Sequence, residues 1–151
     1  MDASETYPTN DRRYPPGLHP IHGILLAAGV PLFLGALLSD IAYAYSYHIQ
    51  WSNFASWLLA GGLVFNGLAV LWGLICLLFC HCARHYCWYV LLLAITWVVG
   101  FFAALIHSRD AWAMMPHGLV LSAITFLLAC AAAGMGFKKF GVGGLEGRYQ
   151  R

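Results

Sequence analysis

Four long apolar runs occupy most of this chain, at residues 21–46, 54–80, 86–106 and 113–137. Each is about the 20 residues that a helix needs to cross a hydrocarbon core of roughly 30 Å. A buried helix in a water-soluble domain can be equally apolar. Four in succession cannot, because 151 residues leave too little polar helix to surround them. With 61% hydrophobic and only 9% charged residues, the composition agrees with that exclusion. The expected fold class is therefore all-α: a polytopic membrane protein built as a four-helix transmembrane bundle, in contact with the lipid bilayer.

The basic residues orient such a bundle. Arg12 and Arg13 precede the first run, Arg84 lies between the second and third, and Lys138, Lys139, Arg148 and Arg151 follow the fourth. Arg109 alone falls on the other side. Seven against one, near the span ends, predicts both termini in the cytoplasm. Residues 1–20 carry Pro8, Pro15 and Pro16 and read as a polar cytoplasmic arm; 21–137 form the four-helix domain; 138–151 read as a basic, Gly-rich tail. Arg12-Arg13 does not begin an export signal, since the apolar run after it is too long and three more spans follow. No basic run interleaves with aromatic residues, so nucleic acid is not an expected partner.

Small residues four apart mark faces where transmembrane helices approach closely. Gly35 with Ser39, Ala69 with Gly73, Gly100 with Ala104, Gly118 with Ser122, and Cys130 with Gly134 fit that spacing. Pro31 falls mid-span and should kink the first helix. Trp51, Trp57, Trp88, Tyr89 and Trp112 lie near span ends, where amphipathic rings anchor at the interface, whereas Trp72 and Trp97 lie deeper.

Sorted by depth, the polar residues form two layers and one isolated group. On the cytoplasmic side are His19, His22, Cys80, His81, Cys82, His85 and Cys87. Asn66 sits near the middle, and Asp40, His48, His107, Arg109, Asp110 and His117 lie on the outer side. Asp40 is the one acid within or at the edge of a span, and ionisable groups at such depth usually face a partner inside the bundle. Asp40, His107 and His117 therefore form an intramembrane polar cluster, either functional or a clamp on helix register. Asp40 is expected to contact His117 or His107. A haem b reading would use His107 and His117, with His22 as a further candidate ligand, but interfacial hydrogen bonding is favoured for all three.

The string Cys80-His81-Cys82 with His85 and Cys87 has thiolate and imidazole groups suited to a soft metal. It lacks the second paired knuckle of a structural zinc site, and no metal is expected there. No phosphate loop, Ser–His–Asp set or paired carboxylates appears, so no enzymatic activity is expected.

The motif Leu18-His19-Pro20-Ile21-His22-Gly23, followed by Pro31 and Ser39-Asp40, resembles a bacterial family of four-helix membrane proteins, domain of unknown function 2231. The resemblance continues through Ala55-Ser56-Trp57-Leu58-Leu59-Ala60-Gly61-Gly62, Arg109-Asp110-Ala111-Trp112, Pro116-His117-Gly118 and Gly141-Val142-Gly143. It implies a multi-pass protein of the bacterial inner membrane without an assigned activity. The resemblance also implies redox company, through relatives joined to Rieske or cytochrome-like domains. The leading expectation is a non-catalytic accessory or structural subunit, associated with other membrane subunits or with itself. An electron carrier with haem or metal is the alternative, and a small transporter or channel component is the third reading.

Overall fold

The computed structural model describes residues 19–79, 84–109 and 114–140. They form four helices: α1 (Pro20–Ser46), α2 (Ile49–Phe79), α3 (Arg84–His107) and α4 (His117–Phe140). All four are long and apolar enough to cross a membrane, the shortest qualifying stretch being 22 residues. At about 1.5 Å per residue even that stretch is about 33 Å long. The protein is an all-α membrane bundle, and among the described residues there is no strand.

Local chemistry sets the helix ends. Pro20 occupies the first turn of α1, where its missing N–H costs nothing, and the His19 ring accepts the Ile21 N–H at 3.4 Å. At the other end Tyr47 adopts a left-handed conformation, φ 55°, and its N–H closes on the Tyr43 carbonyl at 2.8 Å. The reversal leads directly into α2, which therefore lies antiparallel beside α1. α2 begins at Ile49, well before the apolar run at 54, because Gln50, Ser52 and Asn53 are compatible with a helix that protrudes from hydrocarbon. α4 starts at His117, directly after Pro116, so the expected start at 113 is too early. It also runs through Lys138 to Phe140, where a tail was expected, since lysine does not break a helix and the first glycine of the tail is Gly141. Pro31 lies within α1, which is assigned as one helix from end to end.

Each helix packs on its sequence neighbours, and α4 closes the ring against α1. The helices are apolar on every side, so burial inside does not separate them into polar and apolar faces. Phe54, Trp57, Leu71, Leu78, Phe102 and Leu127 are exposed on the outside of the bundle. Phe33, Ala36, Leu59, Ala103 and Ala129 form one half of the core, and Leu26, Ala69, Tyr89, Val90, Leu93 and Ala132 the other.

Glycines set the helix spacing. A Cβ on Gly62 would stand 2.6 Å from Phe33 Cε1, and the same ring atom is 3.7 Å from the Cβ position of Gly100. Phe33 is thus held between α2 and α3 at the bundle centre. Gly35 meets Leu58, Gly73 meets Val90, and Gly118 meets Met114 and His107. Gly134 is exposed, with nothing within 4 Å of its Cβ position, so the Cys130–Gly134 pair is no contact face within the chain. Four-residue spacing also missed Gly62, because its neighbours one turn away are Leu58 and Asn66.

Buried hydroxyls bond back to their own helices. Ser39 donates to the Gly35 carbonyl at 2.8 Å, Thr96 to Leu92 at 2.8 Å, and Thr125 to Leu121 at 2.7 Å. These bonds let hydroxyls sit inside the bundle without a partner on another helix.

Candidate functional site: two buried polar layers

At the end of the bundle where α1 turns into α2, Asp40 comes from the penultimate turn of α1, His107 from the last residue of α3, and Ser122 from the second turn of α4. Asp40 is 0% exposed. Its Oδ1 lies 2.8 Å from His107 Nε2, and its Oδ2 accepts the Ser122 hydroxyl at 2.5 Å. The other imidazole nitrogen, Nδ1, is 2.8 Å from the Ala103 carbonyl oxygen.

This geometry determines the proton count. A carbonyl only accepts, so Nδ1 carries a hydrogen and donates to Ala103. A neutral imidazole would then offer only a lone pair at Nε2, and an ionised carboxylate offers only lone pairs at Oδ1. Two acceptors do not sit 2.8 Å apart, so one proton lies between them. Whether it resides on nitrogen or oxygen, the pair is neutral overall. A membrane bundle can bury these two ionisable groups because together they carry no net charge.

The sequence-selected cluster divides on inspection. Asp40 and His107 meet, while His117 is exposed at the first position of α4 and the two carboxylate oxygens of Asp40 are bonded to His107 and Ser122 instead. Ser122 takes the expected place of His117. Its four-residue spacing from Gly118 suggested only close packing, yet the residue one turn inside the helix start is the one that reaches α1. The hydrophobic run around it hides the signal.

At the opposite end, His22 in the first turn of α1 bonds Tyr89 in the second turn of α3. His22 Nε2 and Tyr89 Oη are 2.7 Å apart, and the two residues are 2% and 0% exposed. Tyr89 is therefore not an interfacial anchor, as its position near a span end suggested; it is the largest fully buried side chain. The amphipathic reading failed because its hydroxyl has an internal hydrogen-bond partner. Trp72 also belongs to this end, its ring 5.0 Å from that of His19. Trp97 behaves differently again, donating Nε1–H to the Leu63 carbonyl at 3.2 Å over the space left by Gly67.

Removing the Tyr89 hydroxyl leaves both His22 nitrogens unpaired, because Nδ1 already lacks a partner. Tyr89→Phe is expected to destabilise the bundle by about 1–3 kcal/mol. Thermal unfolding in detergent measures this, and a loss no larger than that of Tyr45→Phe, at an exposed tyrosine, would contradict the assignment.

Asn66 is buried at mid-depth, its Nδ2 without a hydrogen-bond partner, beside a small void among Leu25, Leu26, Gly29, Phe33 and Leu93. The void, about 10 Å³, has room for one water.

The histidines singled out for a ligand role fall at two ends of the bundle. Among the described residues no group of three or more His, Cys, Asp or Glu side chains is placed to hold a metal. His22 and His107 stand at opposite ends of the bundle, and both nitrogens of His107 are engaged. His85 and Cys87 are exposed on the first turn of α3, while Cys80, His81 and Cys82 lie outside the described residues.

Four spanning helices, locked near each end by an interhelical polar contact, define a small integral membrane protein. The chain belongs to the family described as predicted membrane protein (DUF2231), whose model matches residues 18–144. Comparisons with curated proteins and with solved structures gave no match.

Proposed function

We propose that this protein is a non-catalytic accessory subunit, a rigid transmembrane module that docks beside other membrane proteins. The observation that carries the reading is the Asp40–His107–Ser122 contact. It commits the buried acid to joining α1, α3 and α4, which is the work of a structural clamp. The large outward-facing apolar side chains supply surface for lipid or for another transmembrane segment. Family resemblance suggests a respiratory or redox complex as the host, and the bacterial inner membrane as its place.

Extraction from native membranes in mild detergent tests this directly. The expected result is a stoichiometric membrane partner, with no haem absorption band belonging to this chain. Isolation without a partner, or a haem band lost on replacing His107, would favour the electron-carrier reading instead.

The proposed orientation places both termini in the cytoplasm, from the seven-to-one distribution of Lys and Arg. Single cysteines introduced at residues 3 and 149 of a cysteine-free variant should resist impermeant thiol reagents in intact cells. Labelling of either one from outside overturns the orientation.

A further inference from the structure

Between the two polar contacts at its ends, the bundle encloses a void of about 10 Å³. Side chains from all four helices line it: Leu26 and Phe33 of α1, Asn66 of α2, Leu93 of α3 and Ala129 of α4. A void lined by hydrocarbon alone stays empty. This one carries an amide. Asn66 is 6% exposed, and its Nδ2 meets no acceptor among the described residues. A buried asparagine in a membrane span ordinarily bonds across to a neighbouring helix, because an unsatisfied donor in hydrocarbon is costly.

Gly29 of α1 also lines the void. It is buried, yet a Cβ built on it would meet nothing within 4 Å, so open space lies against the α1 backbone there. In a helix the carbonyl one turn back lies beside a residue's Cβ position, so the missing methyl group leaves the Leu25 oxygen uncovered. That oxygen accepts the Gly29 N–H and keeps a second lone pair. The bundle uses the same device elsewhere. Trp97 Nε1–H donates to the carbonyl of Leu63, four residues before Gly67, and stands 3.0 Å from the position that a Gly67 Cβ would take. At Gly29 no side chain fills the corresponding gap.

We propose that one water molecule is bound in this void, accepting from Asn66 Nδ2 and donating to the Leu25 carbonyl, and that it joins α1 to α2 at mid-span. The volume admits a single water, and two polar partners are the fewest that hold one in a buried site. The bridge is a third polar contact between helices, lying between Asp40–His107–Ser122 and His22–Tyr89. Unlike those two it rests on a bound ligand. It does not depend on whether the protein serves as an accessory subunit.

NMR cross-relaxation with water, measured on the full-length chain labelled with 15N-asparagine in deuterated detergent, reads the site directly. The chain has three asparagines, and the Asn66 signals are identified by their loss in Asn66→Leu. A water cross-peak is expected on the Asn66 side-chain amide. It should vanish in Gly29→Ala, whose methyl group takes the place of the water. Thermal unfolding gives a second readout. Gly29→Ala alone should lower Tm, because it strands the Asn66 amide. In an Asn66→Leu background the same substitution should raise Tm, since alanine suits a helix better than glycine and there is no amide left to strand. The absence of a water cross-peak on Asn66 in the unsubstituted chain overturns the proposal. So does a cross-peak that persists in Gly29→Ala, or a Tm shift on Gly29→Ala of the same sign in both backgrounds.

Discussion

Asp40→Ala is expected to cost about 3 kcal/mol of stability in detergent, among the largest effects of any single substitution in this chain. The substitution takes away the partner of His107 Nε2 and the acceptor of the Ser122 hydroxyl in one step. Ordinary interhelical hydrogen bonds in membrane proteins contribute less, about 0.6 kcal/mol on average, because helices separated in lipid find other partners. The Asp40 contact should exceed that figure. His107 is left buried with an unsatisfied nitrogen, and the proton that kept the pair neutral loses its second site.

A double-mutant cycle separates this from simple cavity formation. His107→Ala alone strands the carboxylate, whereas the double variant strands neither group, so its cost should fall well short of the sum. The same cycle with His117 should be additive, since His117 is exposed and both carboxylate oxygens of Asp40 are bonded elsewhere. Additivity with His107, or strong coupling to His117, would overturn the assignment.

Gly62→Ala should destabilise by about 1–3 kcal/mol despite adding a single methyl group. Its Cβ would lie 2.6 Å from Phe33 Cε1 and 2.8 Å from Cδ1, well inside contact distance. Phe33 is 1% exposed and its Cε1 also lies 3.7 Å from the Cβ position of Gly100 on α3, so the buried ring has little room to give way. Gly134→Ala serves as the control, because nothing lies within 4 Å of its Cβ position. Shortening the ring in the combined variant Gly62→Ala, Phe33→Leu should recover part of the loss. Equal melting temperatures for the two glycine variants would show that the Phe33 contact does not limit the helix approach.

Both predictions rest on contacts that the linear pattern only partly revealed. Asp40 stood out because a carboxylate in an apolar run requires a partner, and a histidine at matching depth was the natural candidate. Depth alone could not choose between His107 and His117. Each lies at a helix end on the same side of the bundle, and helix rotation decides which ring turns inward. Ser122 and Tyr89 gave weaker signals still. A serine in a helix usually satisfies itself on its own backbone, and a tyrosine near a span end usually sits at the interface.

The existence, number and approximate lengths of the helices were legible from the sequence, because hydrocarbon requires every spanning backbone group to be bonded within its own helix. A run of some 20 apolar residues has essentially one such solution, and short connections make successive helices antiparallel neighbours. The inward faces were not legible. These helices are apolar on all sides, so no periodic contrast marks which residues meet another helix and which meet lipid. Only the packed bundle seats Phe33 against Gly62, turns Asp40 towards His107 and Ser122, and closes His22 on Tyr89. In water, the hydrophobic effect would have written that choice into the sequence as an alternation of polar and apolar residues. In lipid it is made by steric fit and by a few hydrogen bonds, and both depend on helix rotation and distance.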